Sequence, residues 1–133
     1  MLRMVTVRHA PASAGDIRRQ LGADLAEAGL SATVIGDATL VASELVGNAV
    51  RYAAPLPGGV LEVSWTVDAE FIRLRVSDGG GPSVPARHEA SPEDVRGRGL
   101  AIVAALARDW GVELSRNGSG PTSTVWVELP VKG

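Results

Sequence analysis

The chain has no cysteine, and it has a single lysine, Lys132, beside twelve arginines. The first absence excludes disulfides and thiolate metal sites. The second excludes two common ways of holding nucleotide phosphates. A Walker A loop needs GxxxxGK[ST], and protein kinases of the common type need a lysine on an early strand. Long apolar runs are missing as well. The opening stretch MLRMVTVRHAPASAG is too polar for a signal peptide, and no later segment approaches a membrane span, so a cytoplasmic location is expected. A net charge of -2 gives no general attraction to nucleic acid or anionic membranes. The two histidines, His9 and His88, do not suggest a zinc site and are expected to be exposed or in loops. What is present is apolar content of 45% in 133 residues, which describes one globular domain over residues 1–133.

Periodicity supplies the elements. MVTVR (4–8) is a short strand. Ser13 and Asp16 form an S-x-x-D start signal for a helix whose inward face is Ile17, Leu21, Leu25 and Ala28, with Gly29 as its stop. Ser31 opens a second helix running to about Ala54, on which Val34, Ala38, Val41, Leu45, Val46 and Ala49 recur at helical spacing. Pro55 to Gly59 reads as a loop. VLEVSWTV (60–67) and FIRLRVS (71–77) alternate with period two and are close enough to form a hairpin. Residues 79–97 lose all periodicity, and GLAIVAALARDWG restores it as a third helix using Leu100, Val103, Ala104 and Ala107. VELS (112–115) and STVWVEL (123–129) then form a second hairpin around NGSGP. The expected fold is α+β: a two-layer sandwich with a mixed, mostly antiparallel sheet covered on one face by three helices.

Three separated pieces could carry chemistry. Glu44 and Asn48 lie one turn apart at the edge of the second helix's apolar stripe. They are either the first polar residues past the core or an amide and a carboxylate placed to address hydrated magnesium and a nearby hydroxyl. Asp78, ending the second strand of the first hairpin, has the inward parity of Ile72, Leu74 and Val76. It is either part of an Asp-Gly turn or an acceptor for a ligand amine such as that of adenine, with glycines beside it to let a base lie against bare backbone. Gly97-Arg98-Gly99-Leu100 meets a helix N-terminus, where unpaired amides suit an anion, although the same pattern also simply starts helices.

The order E-x-x-x-N, D-x-G, long Gly/Pro-rich loop, G-x-G-helix, then STVWVEL, resembles the GHKL (Bergerat) ATP-binding superfamily. It looks most like its small single-domain branch, the anti-sigma factor serine protein kinases and their actinobacterial relatives. The similarity runs from about Val5 to Leu129. The resemblance implies ATP and Mg²⁺ as cofactors, with Asn48 as magnesium ligand and Glu44 as catalytic base. It further implies that Asp78 binds adenine, that Gly80 borders the base, and that Gly97, Arg98, Gly99 and Leu100 surround the phosphates. Residues 81–96 would be the ATP lid. Thr124 falls at the family's late Ser/Thr position near adenine and Asp78, and it also has an ordinary reading as an outward strand threonine. The function implied is an ATP-dependent serine/threonine protein kinase that phosphorylates a STAS-like anti-sigma factor antagonist and sequesters a sigma factor. The alternative is a module of the same fold that uses ATP to shape a partner surface without transferring phosphate. Neither nucleic acid nor membrane is an expected partner, and a homodimer is left open.

Overall fold

The computed structural model describes residues 2–80, 99–117 and 120–132. Among these residues, five strands and three helices follow in the order β1 (Leu2–Arg8), α1 (Ala12–Glu27), α2 (Ala32–Tyr52), β2 (Val60–Val67), β3 (Phe71–Asp78), α3 (Gly99–Leu106), β4 (Asp109–Asn117) and β5 (Gly120–Pro130). The strands form one sheet in the order β1-β2-β3-β5-β4. All four pairings are antiparallel, so the mixed sheet expected from the sequence is antiparallel throughout the described residues.

Alternation along the strands sends every second side chain to the helix side. Leu61, Val63 and Trp65 of β2, Ile72, Leu74 and Val76 of β3, and Val125, Val127 and Leu129 of β5 are buried there. They meet Ile17, Leu21 and Leu25 of α1, the Val34 to Ala49 stripe of α2, and Val103 of α3 in one continuous core. Alanines at 38, 42 and 49 keep the buried face of α2 shallow, so that helix can lie close against its neighbours. Trp65, 1% exposed, keeps its indole N–H satisfied by donating to Asp24 Oδ2 of α1 at 2.9 Å.

Helix ends follow the local chemistry with one correction. Ser31 caps α2, its hydroxyl accepting from the Val34 amide at 3.2 Å. Gly29, at φ +82°, ends α1 in a Schellman arrangement: the Leu30 amide donates to Leu25 O and the Gly29 amide to Ala26 O. Ser13, however, is not a cap. The first helix begins at Ala12 behind Pro11, and the buried Ser13 hydroxyl donates instead to Arg8 O at 2.7 Å, which fastens the start of α1 to the end of β1. Asp16 turns outward to pair with Arg19.

The third helix is shorter than its periodicity suggests. It stops at Leu106, and Asp109 to Gly111 belong to β4. Gly111 pairs with Trp126, whose indole lies 2.8 Å from where a Cβ on Gly111 would stand. That close approach fits a strand and leaves no room for a side chain. Ala104, expected to face inward, is exposed. The outer face of the sheet carries Arg73 between Asp68 and Glu128, and Arg75 against Glu113, all in exposed ion pairs of small energetic weight.

Candidate functional site

Asp78 is the last residue of β3 and is 1% exposed. Its Oδ1 accepts from the Gly80 amide at 2.7 Å, which partly compensates the desolvated carboxylate. The turn beyond it is built on two glycines that cannot be replaced without strain. Gly80 has φ +75°. At Gly79 a Cβ would overlap the carbonyl oxygen of Pro55. The reason for this close approach is a backbone clasp: the Gly79 amide donates to Ala54 O at 2.8 Å and the Ala54 amide to Gly80 O at 2.7 Å. The segment leaving α2 is thereby pinned to the strand end that carries Asp78.

Asn48 lies two turns earlier in the chain, on α2, and is 2% exposed. Its Oδ1 accepts from Arg51 Nη2 at 3.0 Å, while its Nδ2 is buried with no hydrogen-bond partner among the described residues. Leaving such a group unmet costs on the order of 1–3 kcal/mol, so the position is poor as pure core and good as a waiting contact. Arg51 folds back along the helix, its guanidinium passing over Gly47, and stacks 5.6 Å from the centroid of Tyr52. Glu44, one turn before Asn48, is half-buried and edges a groove of about 410 Å³ between α1 and α2 that Ala14, Gly15, Gly47 and Arg51 also line.

The last turn of α2 is held from outside by His9. Its Nε2 lies 2.8 Å from Ala53 O and 3.1 Å from Ala49 O, so the ring N–H is shared between two terminal carbonyls of the helix. His9 lies in the loop between β1 and α1, one of the two placements expected from the sequence, and there it is half-buried and structural, not exposed.

Among the residues expected at the site, Gly99 and Leu100 open α3, which packs against α2. Gly97, Arg98 and the expected lid at 81–96 lie outside the described residues. Thr124 is a correction. The β3–β5 register sets Asp78 opposite Ser123 and Ser77 opposite Thr124. By alternation Thr124 therefore points to the outer sheet face, where its hydroxyl lies 2.7 Å from Ser77 Oγ. Ser123, fully buried, is the hydroxyl that shares a face with Asp78. The inward parity of Val125 and Val127 carried that signal. His9 and Arg51 were missed as well; the i, i+3 spacing of Asn48 and Arg51 permits the second contact without marking it.

The sequence matches the histidine kinase-like ATPase domain family over residues 7–127. The chain belongs to this family. No curated protein gives a significant match. The fold of this ATPase domain is similar to that in the crystal structure of the RsbU and RsbW domains of Rv1364c from Mycobacterium tuberculosis, with TM-score 0.64 and 22% identity over 98% of this chain. The ATPase domain spans 33% of that longer chain. A second similar structure is the Acinetobacter baumannii histidine kinase AdeS, at TM-score 0.43 and 25% identity, covering 74% of this chain and 48% of the other. No helix among the described residues is long and apolar enough to cross a membrane.

Proposed function

We propose that this ATPase domain is an ATP-dependent serine/threonine protein kinase that regulates a sigma factor, binding it and phosphorylating its STAS-like antagonist. The observation that carries the reading is a pair of buried polar side chains on two pinned elements. Asp78 is a desolvated acceptor beside glycine backbone, suited to an adenine amino group, and Asn48 holds an orphaned amide nitrogen at the neighbouring helix. The motif order resembling anti-sigma factor kinases, and the fold similarity to a chain containing an RsbW domain, support the choice within the family.

Magnesium asks for few protein ligands, typically one or two oxygens with phosphates and water completing its shell. Among the described residues there is no cluster of three or more His, Cys, Asp or Glu side chains, and none is needed for a metal held mainly by ATP. Asn48 fits that modest role on one condition. Arg51 engages one lone pair of its oxygen, and turning the amide over would set two donors against each other, so a metal must take the second lone pair or displace Arg51. The metal would supply charge neutralisation at the phosphates. Glu44, beside the α1–α2 groove, would receive the proton of the attacking serine or threonine hydroxyl.

Calorimetry with Mg-ATP, run beside a phosphate-transfer assay on a STAS-like antagonist, tests the reading. Binding together with a phosphorylated serine or threonine on the antagonist is the expected result. Absence of Mg-ATP binding would overturn it, and binding without transfer would replace the kinase with an ATP-shaped interaction module.

A further inference from the structure

We infer that His9 is a positioning residue for the nucleotide site, a role that rests on the ATP-binding reading above. The imidazole reaches α2 from the corner between β1 and α1, and it grips the helix at the carbonyls of Ala49 and Ala53, 3.1 and 2.8 Å away. Ala49 adjoins Asn48 in the chain. Ala53 adjoins Ala54, whose amide and carbonyl form the clasp to Gly80 and Gly79 beside Asp78. One ring nitrogen thus touches the backbone next to both halves of the site.

The backbone of His9 holds the same segment from its other end. Its amide donates to Gly59 O at 3.0 Å, so His9 spans the connection from the end of α2 to the start of β2. The corner presenting the ring is itself fixed, because the Ser13 hydroxyl and the Ala10 amide both donate to Arg8 O, at 2.7 and 2.9 Å. Helix C-termini leave carbonyls without intrahelical donors, and they are ordinarily met by water or by a following glycine turn. Here the C-cap residue, Ala53, is extended at φ -122° and ψ 158°, so no left-handed glycine turn supplies those donors. Ala49 O already accepts from the Ala53 amide at 3.1 Å, so His9 adds a second donor there and takes the place of the missing turn at Ala53 O, where a donor also suits the helix dipole. Removing the ring frees the last turn of α2 to fray, and Asn48 and the Ala54 clasp then lose their fixed separation.

The experiment compares wild type, His9→Ala and His9→Gln. The glutamine places an amide N–H at a reach similar to that of Nε2, so it restores the donor without the ring. Amide hydrogen exchange is measured without nucleotide, and Mg-ATP affinity by calorimetry. The expected result is faster exchange at Ala53, Ala54 and Gly79 in His9→Ala, Mg-ATP binding weakened roughly tenfold, and substantial recovery of both in His9→Gln. Unchanged exchange in His9→Ala overturns the inference. So does faster exchange with unchanged affinity, which would make His9 structural only. Wild type that exchanges slowly at these amides yet binds no Mg-ATP overturns the nucleotide reading itself, and with it the role assigned to His9.

Discussion

A carboxylate that is 1% exposed at a strand end needs donors, and Asp78 has one of its oxygens 2.7 Å from the Gly80 amide. Asparagine there keeps a carbonyl for that amide but replaces carboxylate acceptor capacity with an amino group, which faces badly toward the amino group of adenine. Asp78→Asn should therefore weaken ATP binding by about 1–3 kcal/mol, measured by calorimetry. Affinity equal to wild type would remove Asp78 from the site. The placement of Asp78 was legible because strand parity is a period-two property that three inward residues, Ile72, Leu74 and Val76, already defined. The choice of Thr124 over Ser123 came from the family resemblance, although the inward parity of Val125 and Val127 already puts Ser123 on that face and a one-residue difference exchanges the faces. Arg51 escaped for another reason. Arginine near a helix C-terminus has an ordinary explanation in the helix dipole, and nothing in the composition marks one that bends back onto Asn48.

Elements meet at this site through their ends, and the turns there carry most of the specificity. Gly79 is the tightest of them. Alanine at this position would force apart the Pro55 carbonyl and with it the clasp between Ala54 and the two glycines, so Gly79→Ala should destabilise the fold by about 1–3 kcal/mol. A urea midpoint equal to wild type would show that the clasp yields without cost. The opposite end of β3 offers a pH test of the hairpin. Asp68 Oδ1 accepts from the amides of Phe71 and Glu70, each at 2.8 Å, and Oδ2 pairs with Arg73. These bonds, the Phe71 amide foremost, then the Glu70 amide and Arg73, lower its pKa from 3.8 to about 2. A depressed folded-state pKa means a contribution fully present above about pH 4 and lost as pH falls toward 2. Asp68→Asn should flatten the acid limb of the stability curve in that window and leave its slope near neutrality alone. An acid limb identical to wild type would show that the hairpin carboxylate does not contribute. The hairpin itself was visible from alternation on both sides of three residues, whereas the end of α3 was not. Apolar spacing continues through Trp110, and only its pairing with Val127 in the sheet decides that Asp109 to Gly111 form a strand.

At the scale of the whole molecule, chain order and fold class were readable because each element keeps a clean period, and the helices bury one face against one side of the sheet. The antiparallel pairing throughout and the order β1-β2-β3-β5-β4 depend on contacts distant in sequence, as does the reach of His9 to carbonyls 40 and 44 residues away. The same architecture frames the question of catalysis against binding. Asn48 is buried at the end pinned toward Asp78, while Glu44, one turn back, opens on the α1–α2 groove. In the proposed reaction the nucleotide and the attacking hydroxyl therefore approach α2 at neighbouring turns, and Glu44 serves only the hydroxyl. Glu44→Gln preserves shape and removes basicity. It should leave Mg-ATP affinity within about 1 kcal/mol of wild type and slow phosphate transfer to a STAS-like antagonist by roughly 10²–10⁴-fold. Asn48→Ala should instead weaken both Mg-ATP binding and transfer, since its amide is assigned to the metal. Transfer is followed by radiolabelled phosphate on the antagonist, with nucleotide affinity measured for each variant. Equal transfer rates for wild type and Glu44→Gln would remove the base from the mechanism, because positioning and charge neutralisation would then suffice.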